Sequence, residues 1–266
     1  MEMSPDQSAE PVAADAAADQ TMPAQYMDDL QDSLGRLGTL ATGLLPLEDS
    51  LTRVAEYAVR AIPGAEGAGL TLLEESRSDT IVSTADFVTQ IDDIQYSLGQ
   101  GPCVSAVADR QIVLSGSLGG DRRWPQFGSR VARLGVHSVV SLPLITEEGV
   151  LGAMNVYAHD KNAFTADAGR LGELFAVPAA IAVQNAQVLA QTKRLASQLQ
   201  TALSSRGVIE RAIGIMMSRS GGTEAEALER LRTLSQHQHE KLPVVAQSIV
   251  QEAVRRAQAR HTDPRR

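Results

Sequence analysis

Cysteine occurs once in this chain of 266 residues, at Cys103. One thiol cannot form an intramolecular disulfide, and with five scattered histidines it cannot build a Cys-rich zinc site. A lone cysteine also fits a reducing compartment, so a cytoplasmic protein is expected. Aromatic residues make up only 3%, and residues 195–266 contain no Phe, Tyr or Trp. The longest apolar stretch, Leu174–Val183, has ten residues. A membrane span needs about 18, so none is expected. Glu2 and Asp6 stand where a secretory leader would carry its apolar segment, so no such signal is expected. Catalytic signatures are missing too. There is no G-x-x-x-x-G-K-[ST], no G-x-S-x-G, no H-E-x-x-H, and no G-x-G-x-x-G after a strand. An enzyme is therefore disfavoured, and no metal, haem or nucleotide signature marks a cofactor.

What remains is ordinary globular composition, 43% hydrophobic and 21% charged, with length for one or two domains. The charge is unevenly placed. Residues 195–266 hold 11 Lys+Arg and 7 Asp+Glu, a net of +4, whereas residues 1–194 hold 13 and 25, a net of −12. Any polyanionic partner is expected to meet the C-terminal part.

Residues 1–25 are Ala-, Asp- and Gln-rich with few large apolar side chains, and are expected to be a disordered tail. Helical apolar spacing starts near Leu30, is interrupted at Pro46, and resumes from Leu51 to Ile62. Strands are predicted over 68–73, 81–85, 137–145 and 150–157, the last two joined by the hairpin loop Thr146–Gly149. Pro102 suits the first turn of a short helix through Asp109, and residues 122–134 predict another. This mixture without strand–helix–strand alternation predicts an antiparallel α+β domain. A helix follows from about Ala166, with Thr165 as its cap. Along it Ile181, Asn185, Val188, Thr192, Leu195, Leu199 and Ala202 keep alternating steps of four and three. Such a seam suits either a paired helix or packing on its own domain. Pro178 is expected to bend this helix where it leaves the first domain. The last section predicts three helices, the second opened by the capping box Thr223-Glu-Ala-Glu226 and the third by Lys241-Leu-Pro243.

Four stretches together resemble a GAF domain, of the kind found in actinobacterial sensor proteins. They are Tyr96-Ser-Leu-Gly-Gln-Gly-Pro-Cys103, Arg123-Trp-Pro125, Gly135-Val-His-Ser-Val-Val-Ser-Leu-Pro-Leu144 and Gly152-Ala-Met-Asn-Val-Tyr157. The resemblance implies a six-stranded antiparallel sheet flanked by helices over residues 26–190, and a small-molecule ligand or a dimerising role. Residues Ala202–Arg219, Thr223–Leu234 and Lys241–Ala246 resemble the three helices of an ANTAR domain, over residues 191–257. A helical linker over about 180–203 and a flexible C-terminus over 258–266 complete the expected layout. The ANTAR resemblance implies a dimeric RNA-binding module that grips stem-loops in nascent transcripts and promotes transcription antitermination. Ile213 stands where the family usually has Lys, and Leu228 where an aromatic is usual.

Candidates for RNA contact are Arg206, Arg211, Arg219, Arg232 and Lys241, since guanidinium and ammonium groups meet phosphates. Gly214 joins them because an interior glycine costs about 1 kcal/mol and needs a packing or contact reason. For a ligand in the sensor domain the candidates are Trp124, and Asn155 with Tyr157, two apart on one strand face. Cys103 reads as a small buried thiol or as a nucleophile paired with His137 or His159. The expected function is a cytoplasmic, signal-responsive RNA-binding antiterminator, acting as a homodimer through its linker. The alternative is a ligand-binding or scaffolding GAF protein whose helical tail contacts protein.

Overall fold

The computed structural model describes residues 22–40, 45–74 and 77–261. It divides after Gln187 into two compact units. The disordered tail expected over 1–25 lies outside the described residues up to position 21, and α1 (Ala24–Leu40) already begins inside its last two positions.

The first unit is built on five antiparallel strands. These are β1 (Gly67–Glu74), β2 (Arg77–Ser83), β3 (Val113–Ser115), β4 (Ser138–Thr146) and β5 (Gly149–Ala158), in the order β2-β1-β5-β4-β3. The resemblance implied six, and among the described residues five form. The stretch between β2 and β3 is taken by helices α3 (Asp86–Leu98) and α4 (Pro102–Asp109) instead. Period-two alternation splits the sheet residues between two cores. Leu70, Leu72, Val140, Leu142, Met154 and Val156 pack on one face with α1, α2 (Leu47–Ala61) and the start of α6 (Ala166–Ser220). Val139 and Tyr157 face the other way, into a core with Val88 and Ile91 of α3, Ala106 of α4, and Phe127 of α5 (Pro125–Val131).

Two expected boundaries move. β2 runs from Arg77 to Ser83 rather than 81–85, because its register against β1 pairs Glu74 with Arg77 and Gly69 with Ser83. Its first four residues, Arg77–Thr80, are polar, so no apolar spacing announces the start of the strand before Ile81 and Val82. The helix expected over 122–134 is α5 followed by a 3-10 turn over Ala132–Leu134, ended by Gly135 at φ 82°. Nothing in the apolar spacing predicted α3. Its inward positions 88, 91, 92 and 95 are Val, Ile, Asp and Gln, all buried, so half of its core face is polar.

Pro178 does not mark the exit from the first unit. α6 runs on through it, and Ala179, Ala180 and Val183 are still fully buried in that core. The carbonyl left without its helical donor by Pro178 belongs to Leu174, a residue about half exposed. One 18-residue window of α6 reaches a mean hydropathy of 1.3, sufficient by length and composition for a membrane span, with 33% of it buried. Its apolar residues serve two sides: Leu171, Phe175 and Ala179 face the core, while Leu174, Val177 and Ile181 are more than half exposed.

The second unit holds the rest of α6, α7 (Glu224–Gln238) and α8 (Leu242–His261). Its core is Ala212 and Ile213, Ala227 and Leu231, and Val245 and Ala246, two residues from each helix. Gly221 at φ 67° ends α6, and the expected capping box forms: Glu226 N–H donates to Thr223 Oγ1 at 3.3 Å and Thr223 N–H to Glu226 Oε2 at 2.9 Å. α8 continues to His261, so positions 258–261, expected to be flexible, are helical; 262–266 lie outside the described residues.

Candidate functional site

On α6, Gly207, Arg211, Gly214 and Ser218 recur at steps of four, three and four and so share a helix face. Gly214 is exposed, and a Cβ placed on it would meet nothing within 4 Å. No neighbour in the chain requires glycine there, so packing gives no reason for it. Gly214→Ala should therefore stabilise the three-helix unit by about 1 kcal/mol, read as a raised urea midpoint; a drop in stability would show that alanine is not accommodated. Arg211 is exposed at the centre of this face, its Nε donating only to the carbonyl of Gly207 at 3.1 Å.

The other basic candidates separate into two groups. Arg219 and Lys241 are exposed, with no ion-pair partner among the described residues. Arg206 is held by Glu210 at 2.8 Å and Arg232 by Glu229 at 2.5 Å. At 100° per residue Arg206 also lies about 140° around α6 from Arg211, so the two cannot address one surface, whereas Arg219 is about 80° away. Ile213 is buried in the three-helix core and Leu228 is half-buried against it, so both work in packing. His237 and His239 are exposed, and among the described residues no three His, Cys, Asp or Glu side chains converge as a metal site.

In the first unit the register sets Asn155 opposite both Gly69 and Ser141. Gly69 and Gly67 let α3 lie close: a Cβ on Gly69 would stand 2.4 Å from Asp92 Oδ2, and one on Gly67 2.7 Å from the Phe87 ring. The fully buried Asp92 carboxyl group accepts from Tyr157 OH at 2.7 Å and from Asn155 Nδ2 at 3.1 Å. Ser141 Oγ donates to Asn155 Oδ1 at 2.7 Å. Burial, then the neighbouring Asp92, pushes the Tyr157 phenol well above its usual range. Asn155 and Tyr157 thus turn their polar atoms to α3 rather than to an open space. Trp124 is buried too, with Nε1 donating to Ser105 Oγ of α4 at 2.9 Å and the Arg123 guanidinium 4.2 Å over its ring. It pins α5 to α4.

The Tyr96–Cys103 stretch has a mechanical role. Gly99 at φ 62° ends α3, and Gly101 at φ 152° leaves room for the Gln95 amide, whose Oε1 accepts from Cys103 N–H at 2.9 Å. That satisfies one of the free donors in the first turn of α4. Cys103 Sγ lies 3.4 Å from Tyr96 OH, which also contacts Thr71 Oγ1. Burial pushes the Cys103 thiol up to about 11, so at neutral pH it is held as the weakly nucleophilic thiol. His159 pairs with Glu66 at 2.5 Å instead. Thr71, Tyr96 and Cys103 border a cavity of about 210 Å³ that sequence reasoning missed, because its polar groups come from three separate elements.

The family description "GAF domain" matches residues 45–184, more than half of the chain, and "ANTAR domain" matches residues 197–250. Similar solved structures include the GAF domain of a phosphoenolpyruvate-protein phosphotransferase from Coxiella burnetii. It is 14% identical with a TM-score of 0.47, over 61% of this chain and 96% of that one. The corresponding domain from Acinetobacter is 15% identical at 0.46, over 61% and 97%. Free methionine-R-sulfoxide reductase from Neisseria meningitidis is 12% identical at 0.47, over 65% and 96%. No curated protein matches the chain.

Proposed function

This chain belongs to the GAF domain family and carries an ANTAR domain behind it, and from that premise we propose a signal-responsive regulator that binds stem-loop RNA in nascent transcripts and promotes antitermination. A regulatory pairing of a sensor domain with an ANTAR domain is what the two family matches establish. RNA contact is supported above all by one observation: the α6 face where exposed Arg211 stands between two glycines that no packing explains. Glycines without side chains let a phosphate backbone approach the helix, and Arg211, Arg219 and Lys241 supply uncommitted positive charge.

The proposed RNA contact is tested by gel retardation of a two-hairpin leader RNA across a salt series. With three such cations per copy and two copies, affinity should fall by about 10³ between 50 and 200 mM salt. No retardation at low salt, or affinity equal to that for random RNA, would favour a tail that contacts protein.

Presentation to two hairpins calls for a dimer, in a reducing cytoplasmic setting. In the second unit Val188, Leu195, Leu199 and Leu203 of α6 are all more than half exposed, and the first three lie on the heptad seam. A helix carrying apolar residues toward solvent at heptad spacing gains by pairing with a second copy. Leu195→Glu with Leu199→Glu should shift the sedimenting species from the dimer mass to that of one chain. A wild-type chain that sediments as a monomer at micromolar concentration would remove this part of the proposal.

A further inference from the structure

We propose that the sensor unit binds a small, uncharged, largely apolar molecule bearing one hydroxyl, between the Leu73 end of β1, the middle of β5 and helix α4. This rests on a ligand-responsive sensor unit and specifies the ligand's class and place.

The centre of the α3 side of the sheet is closed by the chain itself, since Asp92, Asn155, Tyr157 and Ser141 satisfy one another. One step along the strands the register aligns Thr71, Ala153 and Pro143. Ala153 is the small member of that row, and the volume its side chain does not fill is the cavity of about 210 Å³. Leu73 and Val104 form aliphatic walls, and Val107, half-exposed, sits at the rim beside exposed Ala108. A cavity of 150 Å³ accepts benzene, so this one suits a molecule of about 7 to 10 non-hydrogen atoms.

Polarity in the cavity is confined to one spot. Thr71 Oγ1, Tyr96 OH and Cys103 Sγ are joined by two contacts. Three such groups carry three protons, so two mutual bonds leave one proton to donate, and every member can also accept. A ligand hydroxyl matches that donor-and-acceptor character. Among the described residues no Lys, Arg, His, Asp or Glu lines the cavity, and Cys103 stays a thiol at neutral pH. An anion or cation would lose its hydration there with no countercharge, which excludes nucleotides and carboxylates as occupants.

The test uses the full chain and p-cresol as probe, by calorimetric titration and thermal shift, with toluene, benzoate and cyclic AMP in parallel. p-Cresol should bind saturably, one per chain, and raise the melting temperature. Val107→Phe, which fills the rim, should weaken it at least about tenfold. Thr71→Val should weaken p-cresol more than toluene, a difference that mere loosening of the fold would not produce. No saturable p-cresol binding, equal binding to Val107→Phe, or equal binding of benzoate or cyclic AMP would overturn the proposal. RNA retardation by the same preparation is scored separately. Captured RNA without cresol binding rejects the cavity alone, and cresol binding without captured RNA rejects only the antitermination role.

Discussion

A chain carrying both Arg211→Glu and Arg219→Glu should lose about a hundredfold or more in affinity for a two-hairpin leader RNA at 50 mM salt. Each lost phosphate contact removes close to one unit from the slope of log affinity against log salt, so two per copy should flatten it visibly. Reversal also places a carboxylate against phosphate, which repels. Both residues are exposed and neither has an ion-pair partner among the described residues, so the fold should be little disturbed. Arg206→Ala is the matched control. Its guanidinium is tied to Glu210 and points to another side of α6, so its loss should change affinity by less than about threefold. Retardation and salt slope of the double variant equal to wild type would eliminate the α6 face as an RNA surface. An Arg206 variant as weak as the double one would do the same.

The second large effect concerns the sensor unit. Asp92→Ala should cost about 3–5 kcal/mol of its stability. The alanine leaves the buried Tyr157 hydroxyl and the Asn155 amide without their acceptor and opens space under α3. A buried donor stripped of its partner keeps its desolvation penalty and loses its compensation. Asp92→Asn retains an oxygen that can accept from both donors, so it should cost less than half as much. Urea unfolding followed by fluorescence measures this directly, because the sole tryptophan, Trp124, lies buried in the same core. A midpoint unchanged in Asp92→Ala would mean that Tyr157 and Asn155 do not depend on α3 for their pairing.

Both expected effects trace to features of different legibility. The three-helix unit could be drawn from the sequence because each helix announces itself locally. Its apolar face recurs at helical spacing, Thr223 and Glu226 form a cap within four residues, and Gly221 ends α6. β4 and β5 were equally plain, being long, apolar and joined by a short hairpin. The helix α4 opens at Pro102 as its fixed φ requires. In these places the decisive interactions lie between residues near one another in the chain, so a pattern of residue types suffices.

Elsewhere the outcome depended on partners far away in sequence. Asp92 and Gln95 occupy the inward face of α3 and hide it from any hydrophobic pattern. They are tolerable there only because Asn155 and Tyr157, more than sixty positions later, reach Asp92, and because Gly69 leaves space for it. The same contacts turned Asn155 and Tyr157 from candidate ligand groups into internal partners of α3. The cavity beside them needed β1, β5, α3 and α4 assembled before Thr71, Tyr96 and Cys103 could meet. For the basic residues, type and position were written in the sequence, as were Glu210 and Glu229 at helical spacing from Arg206 and Arg232. The folded helices show that both of these exposed pairs form, while Arg211, Arg219 and Lys241 have no ion-pair partner among the described residues. Composition and periodicity thus settled which segments become helices and strands wherever local chemistry dominates. Which polar groups are spent inside the protein, and which are left for a partner, was decided by tertiary packing, since satisfying a buried polar atom requires a specific second atom that only the fold can bring near.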